Sequence, residues 1–510
     1  MADFNLVAGI DWGTQLSSTK VTYAFIPGGT TAGGYSTTGW NTYEKGRVAT
    51  VMSFFEAATN LTFEQVSDPA QATFRLALLD DPRFTSEGQF GPPGYTDAGL
   101  GLFNVNGNWS REAGGMLEFG GDGFQTLIHE MGHGLGLGHP HDNSGGTKPL
   151  FPGVANPFTD VGFYELNQDV YTMMSYITGW RTAPWGPNHD LNFGGGGLMA
   201  IDIAALQQKY GANTSYRTGN DIYDLPTANE VGTGWQGLWD AGGIDTIRYQ
   251  GAEDAVINLN AATLAFAPGG GGQISYAEGI YGGFTIAHGV VIENAIGGSG
   301  NDTIIGNGAN NVITPGAGDD MVWDTGMHDV DTVIIPTLST DAAIVFPVEG
   351  QPVRVQVTSE FGTDTMTDIE RVMFQDRTLA LDVDGSTGEV FKLYMVAFDR
   401  EGDQSGMTYW VAAMDEGAAL NEVAASFAIS DEFTELYDGM TSAEILTELY
   451  DNAFGREPDE AGFDYWLSEL EAGTSLSVVM NSFAISGEMS SLVNETGVLA
   501  RGVWLDTLLA

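Results

Sequence analysis

HEMGHGLGLGHP, residues 129–140, packs three of the chain's seven histidines into eleven positions and separates them with glycine. His129 and His133 are four residues apart, so a helix carries both imidazoles on one face, one turn apart, where they can share a metal ion. Glu130 beside them points elsewhere and is placed to take a proton from a water at that ion. FQTLI (124–128) supplies apolar residues to the same helix. A helix that continued would carry His139 to a different face. Gly134, Gly136 and Gly138 weaken it, and Gly136 is expected to take the positive φ that ends it, so that the turn returns His139 to the metal. Three protein ligands with a fourth position open is the catalytic arrangement for zinc. His141 reads as an exposed loop residue outside the site.

The whole chain sets bounds on this reading. Its 510 residues predict two to four domains. There is no cysteine, which excludes disulfides, thiolate ligands and thiol nucleophiles. The net charge of −49, from 67 acidic and 18 basic residues, argues against nucleic acid or an anionic membrane as partner. No apolar run reaches membrane-spanning length, so no membrane insertion is expected. MADFNLVAGIDWGTQ, residues 1–15, has neither a basic n-region nor an apolar h-region, so no cleaved N-terminal signal is expected. Residues 1–8 read as a very short pro-segment or the start of the mature chain.

Three blocks follow. Residues 1–211 mix strand-like VTYAFIP (21–27) and ATFRLALL (72–79) with helix-like segments at 45–60 and 198–211, giving a mixed α/β domain. Residues 212–385 are rich in Gly, Asp and Asn and carry a nine-residue repeat: GGSGNDTII (297–305), GNGANNVIT (306–314) and PGAGDDMVW (315–323). In G-G-x-G-x-D-x-U-x repeats six residues turn, three form a strand, and the eighth points inward, so stacked turns build a parallel β-roll. Gly298, Gly300 and Asp302, and again Gly316, Gly318 and Asp320, offer hard oxygen ligands suited to calcium. Asn311, Ala309 and Pro315 depart from the pattern, so weaker sites are expected around the middle turn. Residues 386–510 read as an all-α domain duplicated at an offset of 56: Tyr394 and Tyr450, Arg400 and Arg456, Trp410 and Trp466, and SFAIS at 426–430 and 482–486. The paired tyrosines and tryptophans read as core aromatics.

H-E-x-x-H-x-x-G-x-x-H resembles the zinc motif of metzincin endopeptidases, and YTMMSYITGW (171–180) supplies a matching methionine turn with Met174. Pro140 and Tyr176 narrow the resemblance to the serralysins. RTGND (217–221), WDAGGIDT (239–246) and IAHGVVIENAIGGSGND (286–302) are similar to their calcium-binding segments. The resemblance covers roughly residues 8–325. It implies one catalytic zinc held by His129, His133 and His139, with Glu130 as general base. Tyr176 would bind zinc at rest and stabilise the oxyanion in catalysis. It also implies several structural calcium ions, using Arg217, Gly219, Asp221, Asp240, Gly242, Gly243, Asp245 and Glu293. Substrates would then be proteins and peptides. The chain would be a secreted, extracellular monomer, exported through a type I apparatus by an uncleaved C-terminal signal in GVWLDTLLA (502–510). FGREPDEAGFDYW (454–466) resembles a helical domain of unknown function, DUF4214, which is an addition to the serralysin plan. The alternative to a protease is a calcium-dependent binding or adhesion protein with an idle protease domain.

Overall fold

The computed structural model describes residues 4–143, 146, 148–188, 190–327, 329–346, 354–496 and 501–507. The chain packs as two compact units, residues 1–307 and 308–510.

In the first unit, FRLALL forms a strand buried along nearly its whole length, and a sheet is built around it. The strands are β1 (Lys20–Phe25), β2 (Thr31–Ala32), β3 (Tyr35–Thr38), β4 (Thr62–Gln65), β5 (Phe74–Leu79), β6 (Gly88–Phe90) and β7 (Leu100–Asn104). β5 pairs in parallel with β1 and with β7, and antiparallel with β3; β1 pairs in parallel with β4. β6 pairs antiparallel with β7 and forms an edge. A strand covered on both faces reads as an unbroken apolar run, which is why β5 does not alternate.

Helix α1 (Thr42–Ala58) begins in a capping box. Asn41 Oδ1 accepts from the Glu44 N–H at 2.9 Å, and Glu44 Oε2 accepts from the Asn41 N–H at 2.7 Å. It buries Val48, Val51, Met52 and Phe55, the residues whose spacing predicts it. Helix α2 (Asp122–Gly134) carries the first two histidines. Helix α3 (Ala200–Tyr210) ends at Gly211, whose φ is +77°.

The rest of this unit is made of short strands. Ile222–Asp224, Thr246–Arg248 and Asn294–Ile296 form one parallel ladder. Ala255–Asn258 pairs in parallel with Thr303–Ile305. The central residue of the roll strand is buried at Ile304 here, and at Ile313 and Val322 in the second unit, as the inward eighth position requires.

In the second unit, Val312–Thr314, Thr332–Ile334 and Arg371–Met373 form a parallel ladder, continued antiparallel by Arg377–Ala380. Helices α4 (Ser386–Phe398), α5 (Gln404–Asp415), α6 (Leu420–Ala428) and α7 (Asp431–Leu436) are followed by α8 (Ser442–Phe454), α9 (Glu460–Glu471), α10 (Leu476–Ala484) and α11 (Gly487–Thr496). The first three helices recur at the offset of 56 with identical bounds, and the fourth with the same offset at its start. α4 packs on α8 and α6 on α10. Tyr394 and Tyr450 are buried in this core, and Trp410 and Trp466 pack against it. Arg400 pairs with Glu432 and Arg456 with Glu488, both at 2.8 Å.

The all-α reading of residues 386–510 needs one correction. Val503–Asp506 is a strand and pairs antiparallel with Arg377–Ala380. Its partner is more than a hundred residues away, so local sequence does not announce it. Residues 508–510 of the expected export signal lie outside the described residues. No single helix among the described residues is long and apolar enough to cross a membrane.

Candidate active site

α2 ends as its glycines dictate. Gly136 takes φ +92°, and a Cβ there would lie 2.1 Å from the Thr14 carbonyl oxygen. The chain turns at this point, and His139 Nε2 comes to 3.1 Å from His129 Nε2 and 2.9 Å from His133 Nε2.

The other ring nitrogens are all engaged. His129 Nδ1 lies 2.8 Å from the Met173 carbonyl oxygen, His133 Nδ1 2.8 Å from that of Leu137, and His139 Nδ1 2.5 Å from Asp142 Oδ2. Each partner is an acceptor, so each Nδ1 carries the proton and each Nε2 is left as a lone pair. Three lone pairs facing one another within 3.1 Å repel unless a cation lies between them. The spacing is near the roughly 3.3 Å edge of a tetrahedral zinc–nitrogen site. The donor set therefore fits zinc. Burial, with the neighbouring rings, holds His129 down at about 3 and His133 well below the usual imidazole range, so both stay neutral, as ligands must be.

Glu130 is buried beside this cluster. Burial pushes its carboxyl up to about 8, opposed by a hydrogen bond from the Phe90 N–H. Its Oε2 is sealed from solvent and meets no donor among the described residues. β6 makes room for it at Gly88, where a Cβ would lie 2.5 Å from Glu130 Cγ. A cleft of about 500 Å³ opens here, lined by residues 85–88 and by His129, Glu130, Phe158 and Tyr176 among others. The Tyr176 ring stands 4.7 Å from that of His139 and 5.6 Å from that of His129. Burial pushes its hydroxyl up to about 12.

Met174 is fully buried, and its Sδ lies 2.9 Å from where a Cβ on Gly132 would stand. The methionine turn thus packs against α2. Asp202 fixes that turn by accepting from Thr172 Oγ1 at 2.6 Å and from the Met173 N–H at 2.7 Å.

Two residues were misjudged or missed by sequence reasoning. His141 is half-buried, not exposed. Its ring stacks on His139 at 4.6 Å and lies 4.3 Å from Tyr176. Asp142 orients His139, and only its place three residues after that histidine could have suggested it.

The calcium candidates fall in several places. Asp221, Asp240 and Asp245 bring carboxylate oxygens within 4.8 Å of one another. Glu293 joins them by accepting from the Asp245 N–H at 2.7 Å. Gly242 donates to Asp240 at 2.8 Å, and Gly243 closes on the Gly219 carbonyl, where a Cβ would lie 2.1 Å away. Arg217 takes a positive φ of 48° before this turn. Asp302 accepts from the Gly298 N–H at 2.6 Å and from the Ala255 N–H at 2.7 Å, while Gly300 abuts the Glu253 carbonyl. Asp320 is buried, Gly318 donates to the Phe361 carbonyl, and Gly316 takes φ +111°. Among the described residues, neither Asp302 nor Asp320 joins a group of three ligand side chains.

Residues 209–334 match the peptidase M10 serralysin C-terminal family, and residues 389–437 and 424–493 match the domain of unknown function DUF4214. The chain is 36% identical over 224 residues to serralysin C of Dickeya chrysanthemi, covering 42% of each chain. Its relatives are serralysin metalloproteases. It is 33% identical over 272 residues to serralysin of Proteus mirabilis, covering 51% of this chain and 49% of that one. Against metallopeptidase AprA of Pseudomonas marginalis the identity is 38% over 209 residues, covering 38% and 39%. The chain thus spans half or less of the length of these relatives.

Proposed function

We propose that this chain is a secreted zinc-dependent endopeptidase. The observation that carries the reading is the convergence of three imidazole Nε2 atoms beside a buried carboxylate at the floor of an open cleft.

Zinc held by His129, His133 and His139 would supply a Lewis acid that activates water near neutral pH and draws charge from a carbonyl oxygen. The protein's own groups do the rest. Glu130 takes the proton of the attacking water on its carboxylate, holds it away from solvent, and delivers it to the leaving amine. A positive charge beside Glu130 favours its ionised form and offsets the effect of burial. Tyr176 keeps its proton at working pH, so its hydroxyl is available to donate to the carbonyl oxygen as that oxygen becomes an anion. Met173 O, Leu137 O and Asp142 hold each ring in one tautomer, so nothing reorganises during turnover. β6, whose side away from β7 has no strand partner among the described residues, offers backbone groups to an extended peptide beside Glu130.

The carboxylate groups of the β-rich segments would hold calcium. The low calcium inside cells and its abundance outside would tie folding to export. This supports type I secretion and an extracellular site of action on protein substrates.

The test is cleavage of unfolded casein in Ca²⁺, with and without 1,10-phenanthroline, by the wild type and Glu130→Gln. Cleavage should vanish with chelator and fall about 10²–10⁴-fold in the variant, with zinc content unchanged. A folded, zinc-loaded wild type that cuts nothing would favour the binding-protein reading instead.

A further inference from the structure

WDAGGIDT (239–246) has a partner in WDTGMHDVDT (323–332), which opens and closes on the same residues with two more between them. The surrounding backbone repeats as well. Thr246 pairs with Ile222 on one side and Asn294 on the other, all in parallel. Thr332 pairs in the same way with Val312 and Arg371.

The hydrogen bonds match one for one. Asp245 Oδ1 accepts from the Asp221 N–H at 2.7 Å, and the Asp245 N–H donates to Glu293 at 2.7 Å. Asp331 Oδ1 accepts from the Asn311 N–H at 2.7 Å, and the Asp331 N–H donates to Glu370 at 2.9 Å. Asn220 accepts from the Ile244 N–H at 3.0 Å, as Asn310 does from the Val330 N–H at 3.0 Å. Gly242 donates to Asp240, as Gly326 does to Asp324.

The second copy also carries its own sign of a missing cation. One oxygen from each of Asp324, Asp329 and Asp331 lies within 4.8 Å of the others. Asp331 is 1% exposed and Asp324 8%. Asp324 Oδ1, Asp329 Oδ2 and Asp331 Oδ2 are sealed from solvent and meet no donor among the described residues. Among the described residues, no basic side chain pairs with any of the three. Arg371, next to Glu370, is committed to Asp382 and Asp415. Two buried carboxylates and a half-buried third held together without a counter-charge are strongly unfavourable.

We propose that Asp324, Asp329 and Asp331, with Glu370 beside them, form a calcium site within the second unit. The donors are all hard oxygens on short loops, which suits Ca²⁺ over a transition metal. Asn311 stands where the first copy has Asp221, and that lost carboxylate is restored by Asp329, which stands where the first copy has Gly243. Both copies therefore present four acidic side chains.

The experiment counts Ca²⁺ bound to the full chain by equilibrium dialysis, for wild type, Asp329→Asn, Asp331→Asn and Asp245→Asn. Asp331 also holds the strand backbone, so Asp329→Asn is the safer variant; among the described residues its side chain makes no hydrogen bond. Asp329→Asn and Asp331→Asn should each bind one ion fewer than wild type, independently of what Asp245→Asn does. Tb³⁺ in place of Ca²⁺ should show emission sensitised by the adjacent Trp323, reduced in Trp323→Phe and in Asp329→Asn. A wild-type ion count in folded Asp329→Asn, or terbium emission indifferent to both changes, would overturn the assignment.

Discussion

Asp142 lies three residues beyond His139 and accepts the proton-bearing Nδ1 of its ring at 2.5 Å. The other two imidazoles of the cluster lean on backbone carbonyls, which substitution cannot remove. His139 alone depends on a side chain, and it sits on a loop instead of a helix. Asp142→Ala should therefore weaken zinc binding by about 10–100-fold, the usual cost of losing a partner that orients a ligand. Competition against a chromophoric chelator measures this, and wild-type affinity would show that the contact has no orienting role.

Asp202 tests the methionine turn separately. Its carboxylate is fully buried and accepts from Thr172 Oγ1, the Met173 N–H and the Met199 N–H. Removing it strands these donors. Asp202→Ala should cost about 3 kcal/mol or more in denaturant unfolding, since three buried groups are orphaned at roughly 1–3 kcal/mol each. The Met173 carbonyl orients His129, so zinc affinity should fall as well. A stability loss with no change in zinc binding would separate the turn from the metal.

What sequence could disclose here depends on distance along the chain. The three histidines, Glu130 and the turn at Gly136 share one short segment, so their spacing alone suggests that they lie together. The helical duplication showed itself because every copy lies 56 residues away. Asp202 meets Met173 across 29 residues, and Val503–Asp506 finds its strand partner across more than a hundred. Such contacts leave no local period. His141 was misread for a related reason: a loop histidine looks exposed until Tyr176, brought in by tertiary packing, covers it.

Gly136 offers a backbone test of the same site. Its φ of +92° is unfavourable for any residue with a side chain, and a Cβ would sit 2.1 Å from the Thr14 carbonyl oxygen. Gly136→Ala should destabilise the protein by more than about 1 kcal/mol. It should also lower zinc occupancy, because the turn that returns His139 must shift. Thermal unfolding and metal content measured on one preparation check both effects. A wild-type melting temperature with full zinc would mean that the turn tolerates an L-residue.

Arg371 is a buried charged group of the second unit, with its side chain 2% exposed and paired to Asp382 and Asp415. The pairing joins the strand Arg371–Met373 to the end of α5. Removing one partner leaves the others charged, buried and unmatched, which typically costs 3–5 kcal/mol. Arg371→Met should therefore destabilise the second unit by about 3–5 kcal/mol. Replacing all three with apolar residues of similar volume should recover most of that loss, because a buried ion pair gains little over a well-packed apolar core. Urea unfolding of the wild type, the single variant and the triple variant distinguishes these outcomes. A triple variant as unstable as Arg371→Met would mean that the three charges hold a geometry that apolar packing cannot replace.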